Sequence, residues 1–244
     1  MITNKDLREK NKKYYDKSWT NRKYVDPKRW PHWNIIQPFL KQRNLEIGPG
    51  IKPKIPVNEN YFIDISLESL KVLKHNGAHV FHSNLKNRLP FKSDYFHLIC
   101  AFEVLEHLPN DTKVLTEIHR ILNKKGSSVI TFPLHQHLFN GYDEFVGHVR
   151  RYDVENVESF FRKGGFKIKS YAGLKTPWPS KFLSKPLIVL NKLNHNLFNR
   201  ISDFLDTLPN YAVQNKIVMK DWKKDSCLSL KSSTTGLFVL EKLL

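Results

Sequence analysis

Two acids and two glycines mark the stretch Leu45-Glu46-Ile47-Gly48-Pro49-Gly50 and the later Tyr61-Phe62-Ile63-Asp64. A short apolar run enters a glycine turn, and a second short run ends on a carboxylate. Where two such strands lie side by side and parallel, a nucleoside fits across their carboxyl ends. Gly48 and Gly50 carry no side chain, so the backbone there can approach a ligand closely. Glu46 is the discriminating residue. A phosphate-binding loop has no use for a carboxylate before its first glycine, whereas a ligand with a cationic head does. A dinucleotide fingerprint fails on details. Its third glycine would fall at Pro53, and Asp64 follows Gly50 by 14 residues, short of the roughly 20 expected for a ribose acid.

Two further groups could do chemistry. Read as one helix, Glu103, Glu106 and His107 share a face by three- and four-residue spacing. Two carboxylates and an imidazole can hold a divalent ion, but the reading preferred here gives His107 a catalytic or cofactor-site role and assigns no metal. The second group is His135, His137, Tyr142, Asp143, Glu144, His148, Arg150 and Arg151. It follows the fifth strand, at the sheet edge where ligands bind. His148 is a candidate base. Arg150 and Arg151 either hold an acidic substrate group or brace the loop against Asp143, Glu144 or Asp153. His135 and Tyr142 complete the candidate substrate set.

Positioning these residues requires a sheet. Apolar runs predict strands at 44–47, 61–64, 79–82, 96–102, 127–132, 166–171 and 235–241, and periodicity predicts helices at 67–76, 111–122 and 154–163. This alternation implies an α/β fold, a mostly parallel sheet with helices on both faces. Pro53 and Pro56 leave no room for a helix between the first two strands. Residues 1–42 read as a helical arm rich in aromatics, with Tyr14, Tyr15, Trp19, Tyr24, Trp30 and Trp33; so many rings predict an arm folded over the domain. Residues 43–172 form the core and 234–244 the last strand. Residues 173–233 break the alternation and read as a cap insertion. Within it Leu190, Leu193, Leu197, Ile201, Phe204 and Leu208 recur at helical steps, which suits a packed cap helix or one lying on anionic lipid.

From Asn44 to about Phe166 the chain resembles the class I S-adenosylmethionine (SAM)-dependent methyltransferases, in the small-molecule, ubiquinone-biosynthesis-like group. The resemblance rests on the Glu46–Gly50 turn, Leu89-Pro90-Phe91, Ser93–Cys100, Phe102–Leu108 and Glu117–Leu122 with Lys125-Gly126. It implies a Rossmann-like fold with a seven-stranded, mostly parallel sheet and an antiparallel last strand. It implies SAM as cofactor. Glu46 then organises the loop around the methionine end, and Asp64 accepts hydrogen bonds from the ribose hydroxyls. Ile65, Asn84 and Leu85 fall beside the ribose and adenine, and Ala101 and Phe102 beside the methionine. Lys52 replaces the family's common third glycine, and His97 a frequent aspartate.

The net charge of +17 is uneven. Residues 1–43 carry 12 basic and 4 acidic side chains, residues 44–170 carry 17 and 14, and residues 171–244 carry 11 and 5. The flanks therefore suit an anionic partner: a charged substrate, a membrane surface or nucleic acid. The N-terminus shows no apolar leader and no run is long enough to span a bilayer. The only cysteines are Cys100 and Cys227, which suits a reducing cytoplasm. The expected function is SAM-dependent methyl transfer to a small or lipid-linked acceptor, at oxygen. An RNA or protein methyltransferase and a non-catalytic SAM-binding protein are the rivals. No Asn-Pro-Pro-Tyr-type run and no Pro-Cys setting supports base methylation.

Overall fold

The computed structural model describes residues 4–20, 22–86, 88–175, 186, 189–190, 193–194, 197, 200–201, 217–223 and 225–243. Its strands are β1 (Asn44–Ile47), β2 (Tyr61–Asp64), β3 (His79–His82), β4 (Phe96–Phe102), β5 (Leu122–Pro133), β6 (Phe166–Leu174), β7 (Lys220–Asp221) and β8 (Thr235–Lys242). They form one sheet in the order β3-β2-β1-β4-β5-β8-β6-β7. The pairs from β3 to β5 are parallel, and β8 runs antiparallel to both β5 and β6.

Alternating side chains load the two faces of the sheet. Leu45, Ile47, Ile63, Ile99 and Ala101 join one apolar cluster. That cluster includes Val114, Leu115 and Ile118 of α4 (Asp111–Ile121) and Val157 and Phe161 of α6 (Val157–Lys163). Phe62, Leu98 and Cys100 join the other, with Leu73 of α3 (Leu67–His75) and Ile35 and Ile36 of α2 (Trp33–Ile36). Burial on both faces explains why β1 and β4 carry apolar residues on both sides of the sheet, with Glu46 of β1 and His97 of β4 among the polar exceptions.

Among the described residues the sheet has eight strands rather than seven. Two-residue β7 pairs antiparallel with β6 through Ser170 and Tyr171, so two strands, not one, oppose the parallel set. β7 lies in the 173–233 segment, whose last part also carries α7 (Ser226–Leu230). Ile217 and Leu230 of that part are buried in the core. The helix predicted at 154–163 opens with a 3-10 turn at Val154–Asn156. Residues 48–60 contain no helix, as the prolines require. Of the amphipathic stretch, Leu193 and Leu197 are 80% and 44% exposed and Leu190 and Ile201 half-buried, while Phe204 and Leu208 lie outside the described residues. No helix among the described residues is long and apolar enough to cross a membrane.

The arm packs as expected. Helix α1 (Asn4–Trp19) lies over the carboxyl ends of the strands. Tyr14 meets Phe145 edge to face at 5.6 Å, and Asp16 accepts a 2.8 Å hydrogen bond from Ser66 Oγ at the start of α3.

Phe132 centres a ring cluster in the core, with Tyr152 at 4.1 Å, Phe238 at 5.2 Å and Phe161 at 5.6 Å. Phe132→Ala should therefore cost about 3–5 kcal/mol of folding stability. Denaturant unfolding measures this, and an unchanged midpoint would contradict the packing described.

Candidate active site

A cavity of about 320 Å³ opens at the carboxyl ends of β1, β2 and β4. Gly48, Pro49, Gly50, Asp64, Ile65, Asn84, Leu85 and Phe102 line it, together with Glu103, Val104 and His107. Asn11, Tyr15 and Trp19 of α1 form its outer wall.

Both glycines are required by geometry. Gly48 has φ 67° and donates its N–H to Ile63 O at 2.7 Å; a Cβ there would stand 2.6 Å from Val104 Cγ2. Gly50 has φ 54°, and a Cβ there would stand 2.8 Å from Trp19 Cζ2. Asp64 ties the turn together. Its Oδ2 accepts the Gly50 N–H at 2.9 Å and its Oδ1 the Ser66 N–H at 2.7 Å. Burial pushes its pKa up to about 6, against the pull of those two bonds.

Glu46 does not touch the cavity. It is buried and accepts the N–H groups of Lys54 at 2.7 Å and Ile55 at 3.1 Å. It organises the loop after the glycine turn from beneath. Burial raises its pKa to about 7. Ala101 is likewise core rather than wall; its neighbour Phe102 takes the place expected of it. Asn84 Oδ1 accepts the Lys86 N–H at 3.1 Å, turning the chain so that Asn84 and Leu85 face the cavity.

The acid–imidazole run is not one helix. Glu103 has φ 53°, and its backbone N–H binds Thr131 O at 3.2 Å and Thr131 Oγ1 at 3.1 Å. Its carboxylate accepts the Thr131 hydroxyl at 2.7 Å. Only Leu105–His107 forms a 3-10 turn. Glu103 is therefore held by Thr131, and the third companion of Glu106 and His107 is His148. The His107 and His148 rings meet edge to face at 4.6 Å. Glu106 is fully buried, and neither carboxylate oxygen has a hydrogen-bond partner from another residue. Burial, then the Glu103 carboxylate, hold its pKa well above the usual range. Burial, then the nearby His148, lower the pKa of His107 to about 3.

Of the substrate candidates, none lines the cavity. Arg150 pairs with Asp111 at 2.7 Å and donates to Pro109 O at 3.0 Å. Arg151 pairs with Asp143 at 2.9 Å. Both brace the loop. Tyr142 is 41% exposed on α5 (Gly141–Val146), and His135 sits at φ 66° where its N–H closes onto Tyr152 O at 2.8 Å. His148 stands behind His107, its Nδ1 2.7 Å from Asp143 Oδ1. The α1 residues in the wall were missed individually. The aromatic density of the arm signalled burial but not which rings would meet the pocket.

Residues 46–130 match the family described as a methyltransferase domain. An uncharacterised protein of Methanocaldococcus jannaschii is 33% identical over 137 residues, 54% of this chain and 56% of the relative. A second from the same organism is 34% identical over 91 residues, 37% of this chain and 44% of the relative. The chain thus spans about half the length of these curated relatives. A SAM-dependent methyltransferase of Thermotoga maritima has a TM-score of 0.56 at 15% identity, covering 88% of this chain and 91% of that one. A SAM-dependent methyltransferase of Mesorhizobium loti has 0.52 at 12%, covering 88% and 100%. The [4+2]-cyclase SpnF has 0.57 at 12%, covering 92% and 85%. At these identities the structures speak to fold, and the Rossmann-like methyltransferase fold is the one they share with this chain.

Gly50→Ala forces a side chain into the left-handed region and against Trp19. A cost of about 1 kcal/mol or more follows, and α1 should lift from the pocket. Red-shifted tryptophan emission with weaker nucleoside binding is the expected result. Unchanged emission and affinity would show that Trp19 does not seat there.

Proposed function

We propose, from the match of residues 46–130 to a methyltransferase domain, that the chain moves the methyl group of SAM to an oxygen of a small or lipid-linked, anionic acceptor. The observation that carries this reading is one cavity holding two different ends. Gly48, Gly50, Asp64 and Asn84 supply a nucleoside end, and Glu103 and His107 an acid–imidazole end.

In the transfer, the bond from sulfonium sulfur to methyl carbon breaks as the bond from acceptor oxygen to that carbon forms. S-adenosylhomocysteine would leave, and the acceptor hydroxyl's proton would pass by way of the His107 imidazole to water. SAM brings its own leaving group, so alignment matters more than elaborate machinery. His107 borders the space where the acceptor would lie. It is neutral at neutral pH, but so low a pKa makes it a weak proton acceptor by itself. His148 has an orienting carboxylate in Asp143. We assign both imidazoles to the transfer, His107 beside the acceptor and His148 behind it.

An anionic acceptor is supported by Lys52, which lines the cavity. Lys52 and Lys54 also flank the Trp30 ring at 6.0 and 4.3 Å. A cytoplasmic protein touching a lipid surface is supported by exposed Val189, Leu193 and Leu197 within a basic C-terminal flank. Ion pairs already occupy Arg150 and Arg151, so they do not serve as the anion contact.

Three outcomes test the reading. Asp64→Ala should weaken SAM binding by about 1–3 kcal/mol in calorimetry, and an unchanged affinity would remove the cofactor assignment. The charged form of Asp64 is the better hydrogen-bond acceptor, so SAM affinity should fall as pH drops through about 6. In Asp64→Asn that dependence should vanish; a flat profile in the unaltered protein would contradict the role. His148→Ala should retain SAM affinity and lose turnover, and full turnover would reject its part in catalysis.

A further inference from the structure

We propose that Glu106, His107 and His148 form a binding site for a single divalent transition-metal ion at the floor of the cavity. One oxygen of Glu106 and one nitrogen of each imidazole lie within 4.8 Å of one another. Glu106 Oε1 is 3.6 Å from His148 Nε2 and 4.0 Å from His107 Nε2. An ion bonded at about 2.0–2.1 Å to each donor in tetrahedral geometry would space the donors about 3.3 Å apart. Small side-chain rotations therefore close the three on an ion.

The outer partners fix which atoms face inward. His148 Nδ1 faces the Asp143 carboxylate at 2.7 Å, and His107 Nδ1 faces the Gly147 carbonyl at 3.1 Å. Both partners are acceptors, so each Nδ1 must carry the proton. Each Nε2 then turns a lone pair toward Glu106. Carboxylate- and carbonyl-buttressed imidazoles are what a metal site requires of its outer shell.

Glu106 is the independent sign. It is fully buried, and neither oxygen finds a hydrogen-bond partner on another of the described residues. An orphaned buried carboxyl is costly. Its surroundings worsen the case, since Glu103 and Asp143 add negative charge, and the nearby Arg151 is engaged by Asp143. A divalent cation answers the orphaned oxygens and the excess charge together. Two imidazoles and one carboxylate suit zinc, iron(II), cobalt(II) or manganese(II) better than magnesium or calcium.

The site reaches the arm. Tyr15 Oη lies 3.3 Å from His107 Nε2, the lone pair an ion would take. Ion binding must displace that contact, so the ion and α1 meet at one atom. His107 is the one ligand of the three that lines the cavity, which leaves open coordination positions on the acceptor side. Resting on the methyl-transfer reading, an acceptor hydroxyl bound there would yield its proton to water more readily. That would relieve the weak basicity of His107.

The test uses the full chain, stripped with a chelator and titrated with cobalt(II), followed by its visible ligand-field absorption and by calorimetry. One ion per chain is expected. Glu106→Gln and His148→Ala should each lower affinity by tenfold or more, with folding checked by circular dichroism. Exposed Glu158→Gln on α6 should leave it unchanged. No ion bound by the unaltered protein would overturn the proposal, as would equal binding by folded Glu106→Gln and His148→Ala. A hydrogen bond between protonated Glu106 and His148 would then be the better account. SAM calorimetry on the same samples separates failure of the ion site from failure of the methyl-transfer reading.

Discussion

The Asp64 carboxylate joins three parts of the molecule that are distant in sequence. One oxygen holds the Gly50 N–H of the first turn and the other holds the Ser66 N–H ahead of α3. Ser66 Oγ in turn donates to Asp16 on the arm. The turn, the helix and the arm therefore share one buried anion. The pocket depends on that arrangement. Without it the left-handed Gly50 would lose its anchor, and α1 would lose its contact with the start of α3. Such ties place a polar cofactor to within the tolerance that an in-line transfer demands.

At the other end of the cavity the constraint is an unsatisfied one. The sheet puts Glu103 and Glu106 just beyond β4, and the loop after β5 brings Asp143 and His148 against them. Arg151 and Arg150 are absorbed in holding that loop. The result is a braced loop around an orphaned acid. Brace and cavity floor are thus one construction, and of the two roles the sequence offered Arg150 and Arg151, the ion pairs are those of bracing.

Sequence pattern revealed the sheet well because β1, β2 and β4 are buried on both faces and so place apolar residues on both, with Glu46, Asp64 and His97 among the polar exceptions. It also revealed the missing crossover helix, since proline cannot be hidden. Two-residue β7 left no pattern, because Lys220 and Asp221 are exposed edge residues and pair only by tertiary proximity. The Glu103–His107 run misled for a specific reason. Helical spacing was a fair reading, but Glu103 adopts a left-handed backbone to reach Thr131. His107 and His148 lie 41 residues apart with α4, β5 and α5 between them, and no local rule links them. The sequence singles out Glu46 as the discriminating acid that organises the loop, but its place beneath the loop rather than in the wall follows from strand register, which the sequence alone leaves open.

The fold is shared with a cyclase as well as with methyltransferases, so it does not dictate the chemistry. The most direct measurement supplies SAM bearing an isotopically labelled methyl group to the purified chain, with envelope, quinone and RNA fractions as acceptors. Mass detection follows both products. The account predicts an oxygen-methylated small or lipid-linked product, with one S-adenosylhomocysteine released per label transferred. Label appearing only in RNA or protein, or SAM bound with no S-adenosylhomocysteine formed from any fraction, would contradict it.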